Sequence, residues 1–163
     1  MTATFEEQGV TLAQVRVVAG VIVVDRRLLL GQRLPGTYGG LWCVPGGKVQ
    51  DGETDQEALS RELTEELGPY AEVSVRDFII GCLLPLGERR GSVSYFRVDI
   101  SRYGPDWALA AGGSSWEFCG LGWFDAEQLR LMAAARMLAP ADTEVVTHLC
   151  AELALDAGHA GAT

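Results

Sequence analysis

The chain has 163 residues and is 48% hydrophobic, which suits one compact domain and leaves too little for two. Its formal charge of −9 excludes a basic face for nucleic acid, because neutralising a phosphate backbone needs Lys and Arg in excess; a phosphate ligand bridged by a divalent cation is still allowed. The longest apolar run, 17–24, is too short to span a bilayer, and the opening residues lack a basic-then-apolar leader.

In chain order, 1–13 reads as a flexible lead-in. The β-branched stretch 15–24 reads as a buried strand, Asp25-Arg26 as a turn, and 27–32 as a returning strand. LPGTYGG at 34–40 is a Gly/Pro loop, followed by a short extended piece at 41–44 and then Pro45-Gly46-Gly47. Asp55–Leu67 reads as a helix, capped by Thr54 or Asp55 and stopped by Gly68-Pro69. Strands are expected at 71–84 and 92–100, joined by the charged turn GERRG. The Gly-rich segment 103–115 is the expected mobile loop. A strand at 117–124, a helix at 125–135 and a closing helix at 139–155 complete a domain over 14–155, with a frayed tail at 156–163. Interleaved strands and helices predict an α/β fold with a mixed sheet covered by helices. Four cysteines, Cys43, Cys82, Cys119 and Cys150, show no CxxC pairing and read as free thiols, which fits a reducing, cytoplasmic setting.

The most informative segment is GKVQDGETDQEALSRELTEELGP. At about 100° per residue, Leu59, Leu63 and Leu67 form one apolar stripe. Glu62, Glu65 and Glu66 fall at i, i+3 and i+4 on a neighbouring face. Three carboxylates within one turn repel one another, and placing them beside the buried stripe points to a cation with a preference for hard oxygen donors, Mg²⁺ or Mn²⁺. Glu53 precedes the helix and can fold back onto this face, and Arg61 lies four residues before Glu65 and can pair with it. Upstream, Gly46-Gly47 lets backbone approach a ligand closely, and Lys48 suits phosphate.

Gly47, Glu53, Arg61-Glu62-Leu63, Glu65-Glu66 and Gly68 match the Nudix box, GX5EX7REUXEEXGU, where U is bulky and apolar. The chain therefore resembles the Nudix hydrolases; Pro69 in the last U position is the one departure. The resemblance implies an α/β/α sandwich and hydrolysis of a nucleoside diphosphate linked to another group. It also implies that Glu62, Glu65 and Glu66 are metal ligands, one of them acting as or assisting the base. A carbonyl of Gly46 or Gly47 becomes a further ligand, Glu53 a supporting acid and Arg61 its orienting partner.

Beyond the box the chain resembles the MutT-like and CTP-pyrophosphohydrolase branch, through GQRLPGTYGGLWCVPGGKV, SWEFCGLGWF and MLAPADTEVVTHL. That likeness implies Arg33 and Lys48 on the triphosphate, Glu117 as an additional metal ligand, and Asp142 reading the base. Asp142 is also placed to cap the last helix, Glu117 to face solvent, and Trp42 to sit in the core rather than stack on a base. Cys43 stands where many branch members carry an acid. The implied substrate is a small nucleotide, a cytidine or oxidised purine triphosphate, cleaved to monophosphate and pyrophosphate, with the protein a monomer or homodimer. Two rival readings are an ADP-ribose or NDP-sugar pyrophosphatase, for which Pro85 is a weak sign, and a non-catalytic nucleotide sensor.

Overall fold

The computed structural model describes residues 15–36, 38–68, 71–86, 89–102 and 118–159. The expected lead-in at 1–13, the Gly-rich 103–115, Pro69 and Glu117 lie outside the described residues.

Strand β1 (Val15–Val21) is the centre of a mixed sheet. It pairs antiparallel with β5 (Gly46–Lys48) and parallel with β7 (Arg89–Arg102), which pairs antiparallel with β6 (Glu72–Leu86). A second sheet is built on β3 (Arg27–Arg33), which pairs antiparallel with β2 (Val23–Val24), β4 (Trp42–Cys43) and β8 (Phe118–Phe124). The expected single strand at 15–24 is thus split, and one mixed sheet becomes two sheets. The break falls at Ile22, whose carbonyl accepts from Leu29 N–H at 3.0 Å as the chain passes from one sheet to the other.

Both faces of this layer are covered, which explains the near-continuous apolar strands. Helix α1 (Asp55–Leu67) covers one face: Leu59 and Leu63 are fully buried with Val18, Ile22, Leu29, Phe96 and Val98. Helices α2 (Ala126–Ala134) and α3 (Asp142–His159) cover the other, where Leu129, Val145 and Leu149 pack on Ala19, Val21, Leu28, Leu30 and Tyr95. Successive residues of β1 and β3 feed opposite cores, the period-two alternation of a strand. The result is the expected α/β/α sandwich.

Helix α1 has the expected bounds because its ends are chemically marked. Thr54 accepts from Glu57 N–H while the Glu57 carboxylate accepts from Thr54 N–H, a complete capping box, and Gly68 closes the helix at φ 83°. Helix α2 starts on the same device, with Asp125 and Gln128. Helix α3 starts three residues later than expected and runs through 159, into the segment expected to fray. Among the described residues no helix is long and apolar enough to cross a membrane.

Candidate active site

The loop between β5 and α1 is tied to the helix by one guanidinium. Arg61 Nε donates to Glu53 Oε1 at 2.7 Å and Arg61 Nη2 to Glu53 Oε2 at 2.9 Å, a two-pronged pair. The same side chain donates to Glu62 Oε1 at 2.8 Å and to the Lys48 carbonyl at 3.0 Å. Its approach to Glu65, the partner expected from helix spacing, is longer at 3.7 Å. Glu53 folds back toward this face, and its loop holds it there: Gln50 N–H donates to Glu53 Oε2 at 2.9 Å. The Arg61 guanidinium and that amide hold the Glu53 carboxyl down at about 2.

The three box glutamates occupy different surroundings. Glu66 is buried, 4% exposed, on the side of α1 that meets the sheet. Glu65 projects outward with a side chain 62% exposed. Glu62 lies flush against β5: a Cβ on Gly47 would sit 2.2 Å from its carboxylate carbon, and one on Gly46 would sit 2.0 Å from the Val18 carbonyl. Only glycine fits at position 46, and a side chain at position 47 would push the Glu62 carboxylate away, so the strand backbone and the carboxylate share one cradle.

Among the described residues no three acidic, His or Cys side chains already converge as a metal cage. The donor chemistry nonetheless fits a hard divalent cation, since the Glu62 carboxylate lies directly against the Gly47 backbone, an arrangement of oxygen donors.

A cleft of about 550 Å³ opens on the other side of the same glycines. Gly46, Gly47 and Lys48 line it together with Arg33, Tyr38, Cys43, Tyr95 and Asp142. Asp142 is 5% exposed and is the first residue of α3. Its carboxylate does not cap the helix; Oδ2 accepts from Val44 N–H at 3.0 Å and Oδ1 from the Tyr95 hydroxyl. Burial raises its carboxyl to about 6, against the opposing pull of those two donors and of Arg33. Arg33 thus sits beside Asp142 and Cys43. Burial, then the Asp142 charge, push the Cys43 thiol well up, so it stands neutral where an acid was expected from the branch.

Lys48, Arg33 and Asp142 therefore share one cleft, with both glycines on its rim. Trp42 does not line it: the ring packs edge-on against Phe124, with centroids 4.9 Å apart, and its backbone bridges to Leu138. The side chain is partly buried against the core beneath α2 and α3. Tyr95 and the Val44 amide went unnoticed in the sequence, because nothing in YFRV marks a hydroxyl that meets a carboxylate 47 residues away.

The NUDIX domain description matches this chain over residues 14–149. The CTP pyrophosphohydrolase of Escherichia coli K12 is 44% identical over 63 residues, 38% of this chain and 47% of that protein. The 8-oxo-dGTP diphosphatase of Proteus vulgaris is 44% identical over 57 residues, 34% of this chain and 51% of that protein. The matching stretches span about half the length of these curated relatives. The solution structure of the E. coli ORF135 protein superposes with a TM-score of 0.66 at 28% identity, covering 93% of this chain and 97% of that one.

Proposed function

The chain belongs to the NUDIX family, and from that premise we propose that it hydrolyses a nucleoside triphosphate to monophosphate and pyrophosphate, with a cytidine or oxidised purine nucleotide as substrate. The observation that carries the reading is the shared strand edge: Gly47 borders both the Glu62 carboxylate and a cleft that holds Lys48, Arg33 and a buried carboxylate. One side presents hard oxygen donors and the other presents cations and a hydrogen-bonding group.

Glu62, Glu65 and Glu66, with a carbonyl of Gly46 or Gly47, would hold Mg²⁺ or Mn²⁺, and Glu117 is a further candidate ligand. When bound, such an ion neutralises phosphate oxygens and lowers the pKa of a water. The chain's residues do the rest. Arg61, clamped by Glu53, orients Glu62 and the Lys48 carbonyl. Glu65 or Glu66 accepts a proton from the attacking water as its oxygen bonds to phosphorus. The phosphoanhydride bond breaks, and Lys48 offsets charge on the departing pyrophosphate. Arg33, which lines the same cleft, helps offset charge on the phosphate oxygens. Asp142, ionised above about pH 6, accepts from a base edge that presents an amino group; protonated, it donates to a carbonyl edge.

The test is Glu66→Gln and Glu65→Gln, assayed with Mg²⁺ on CTP and 8-oxo-dGTP. At least one should lose about 10²–10⁴-fold in kcat with unchanged far-ultraviolet circular dichroism. Near-normal turnover in both would refute the assignment.

A further inference from the structure

The cleft contains one residue whose backbone is strained. Tyr38 adopts φ 60°, a left-handed conformation that bulky side chains rarely occupy. Glycines at positions 36, 39 and 40 surround it, so the sequence uses glycine freely in this loop yet keeps tyrosine at the strained position. Hydrogen bonds close the loop around it. Leu41 N–H donates to the Tyr38 carbonyl at 3.1 Å, Gly40 N–H to the Arg33 carbonyl at 3.0 Å, and Gln32 Nε2 to the Gly40 carbonyl at 3.1 Å.

Two aromatic residues line the cleft among the described residues, Tyr38 and Tyr95. The Tyr95 ring is 0% exposed and its hydroxyl is committed to Asp142. Tyr38 is half-buried and lines the cleft. The remaining wall includes Val15, Val17, Leu84 and Val93, apolar surface suited to a planar ring. We propose that Tyr38 is a specificity-determining residue whose ring stacks on the nucleobase, with the loop's backbone bonds holding it in place. The inference rests on the reading above, that the cleft takes a nucleotide.

The experiment compares Tyr38→Phe and Tyr38→Gly with the parent chain. Glycine removes the ring and relaxes the backbone, so this variant is expected to fold. Binding of CMP, dGMP and AMP is measured by nuclear magnetic resonance titration, with ribose 5-phosphate as the probe lacking a base. Tyr38→Gly should weaken nucleotide binding about tenfold, Tyr38→Phe by less than about twofold, and neither should alter ribose 5-phosphate binding. Equal nucleotide affinity in Tyr38→Gly overturns the proposal. So does an equal loss in Tyr38→Phe, which would assign the effect to the hydroxyl. A parallel loss for ribose 5-phosphate, which marks a general loop defect, or no nucleotide binding by the parent chain, overturns it as well. A base-dependent loss in a protein that hydrolyses no triphosphate would sustain the stacking role and contradict only the enzymatic reading.

Discussion

At the scale of single residues, Asp142 concentrates the most chemistry in the least space. It is nearly fully buried and takes one donor on each carboxylate oxygen, yet its carboxyl rises to about 6. A carboxyl raised in the folded state binds its proton more tightly there than in the unfolded chain, so folding stability falls as pH rises from about 4 through about 6. Thermal denaturation of the parent chain and of Asp142→Asn across that window checks this. The parent should lose stability relative to the variant as pH rises, and the difference should level off above pH 6. A constant difference would mean that Asp142 does not titrate there. The same residue shows how sequence reading runs out. Its position near the start of the last helix suggested both a cap and a base reader, and spacing could not tell them apart. The donors that turn its carboxylate toward the cleft come from Val44 and Tyr95, which only the folded sheet brings to it.

At the scale of elements, helix α1 was legible to the residue, because local chemistry fixes both its ends and its buried stripe. Replacing Thr54 by Ala removes the capping box and should cost about 1 kcal/mol. Leu63→Ala, at a fully buried position, should cost about 2–5 kcal/mol. Urea denaturation measures both, and equal losses would show that the cap and the stripe do not divide as described. Strand β5 was not legible: Gly46–Lys48 carries no strand propensity and exists because Val17, Val18 and Ala19 offer it an edge. That pairing has a consequence at the site. Gly47→Ala would drive a methyl into the Glu62 carboxylate, so activity should fall by more than tenfold with a smaller effect on folding. Full activity in that variant would show that turnover does not need the cradle.

At the scale of the whole molecule, two cores on opposite faces of the strands hold the pieces in register. Helix α1 brings the acids, α3 brings Asp142, and β5 with its flanking loop lies between them. The layered architecture followed from interleaved strands and helices, and the box residues followed from their spacing. The separation into two sheets did not follow, because the break at Ile22 depends on a partner strand rather than on local sequence. The division of the glutamates was equally hidden. Helix geometry puts Glu62, Glu65 and Glu66 on one face, whereas their burial depends on how the sheet and Arg61 meet that face.

This arrangement is proposed to cleave nucleoside triphosphates between the α and β phosphates. The most direct measurement is chromatographic identification of products after incubation with Mg²⁺ and CTP, dCTP, 5-methyl-dCTP, 8-oxo-dGTP, dGTP, ADP-ribose and UDP-glucose. The expected result is monophosphate and pyrophosphate from at least one triphosphate, abolished when the metal is chelated. Cleavage confined to ADP-ribose or UDP-glucose, or tight binding without turnover of any compound, would contradict it.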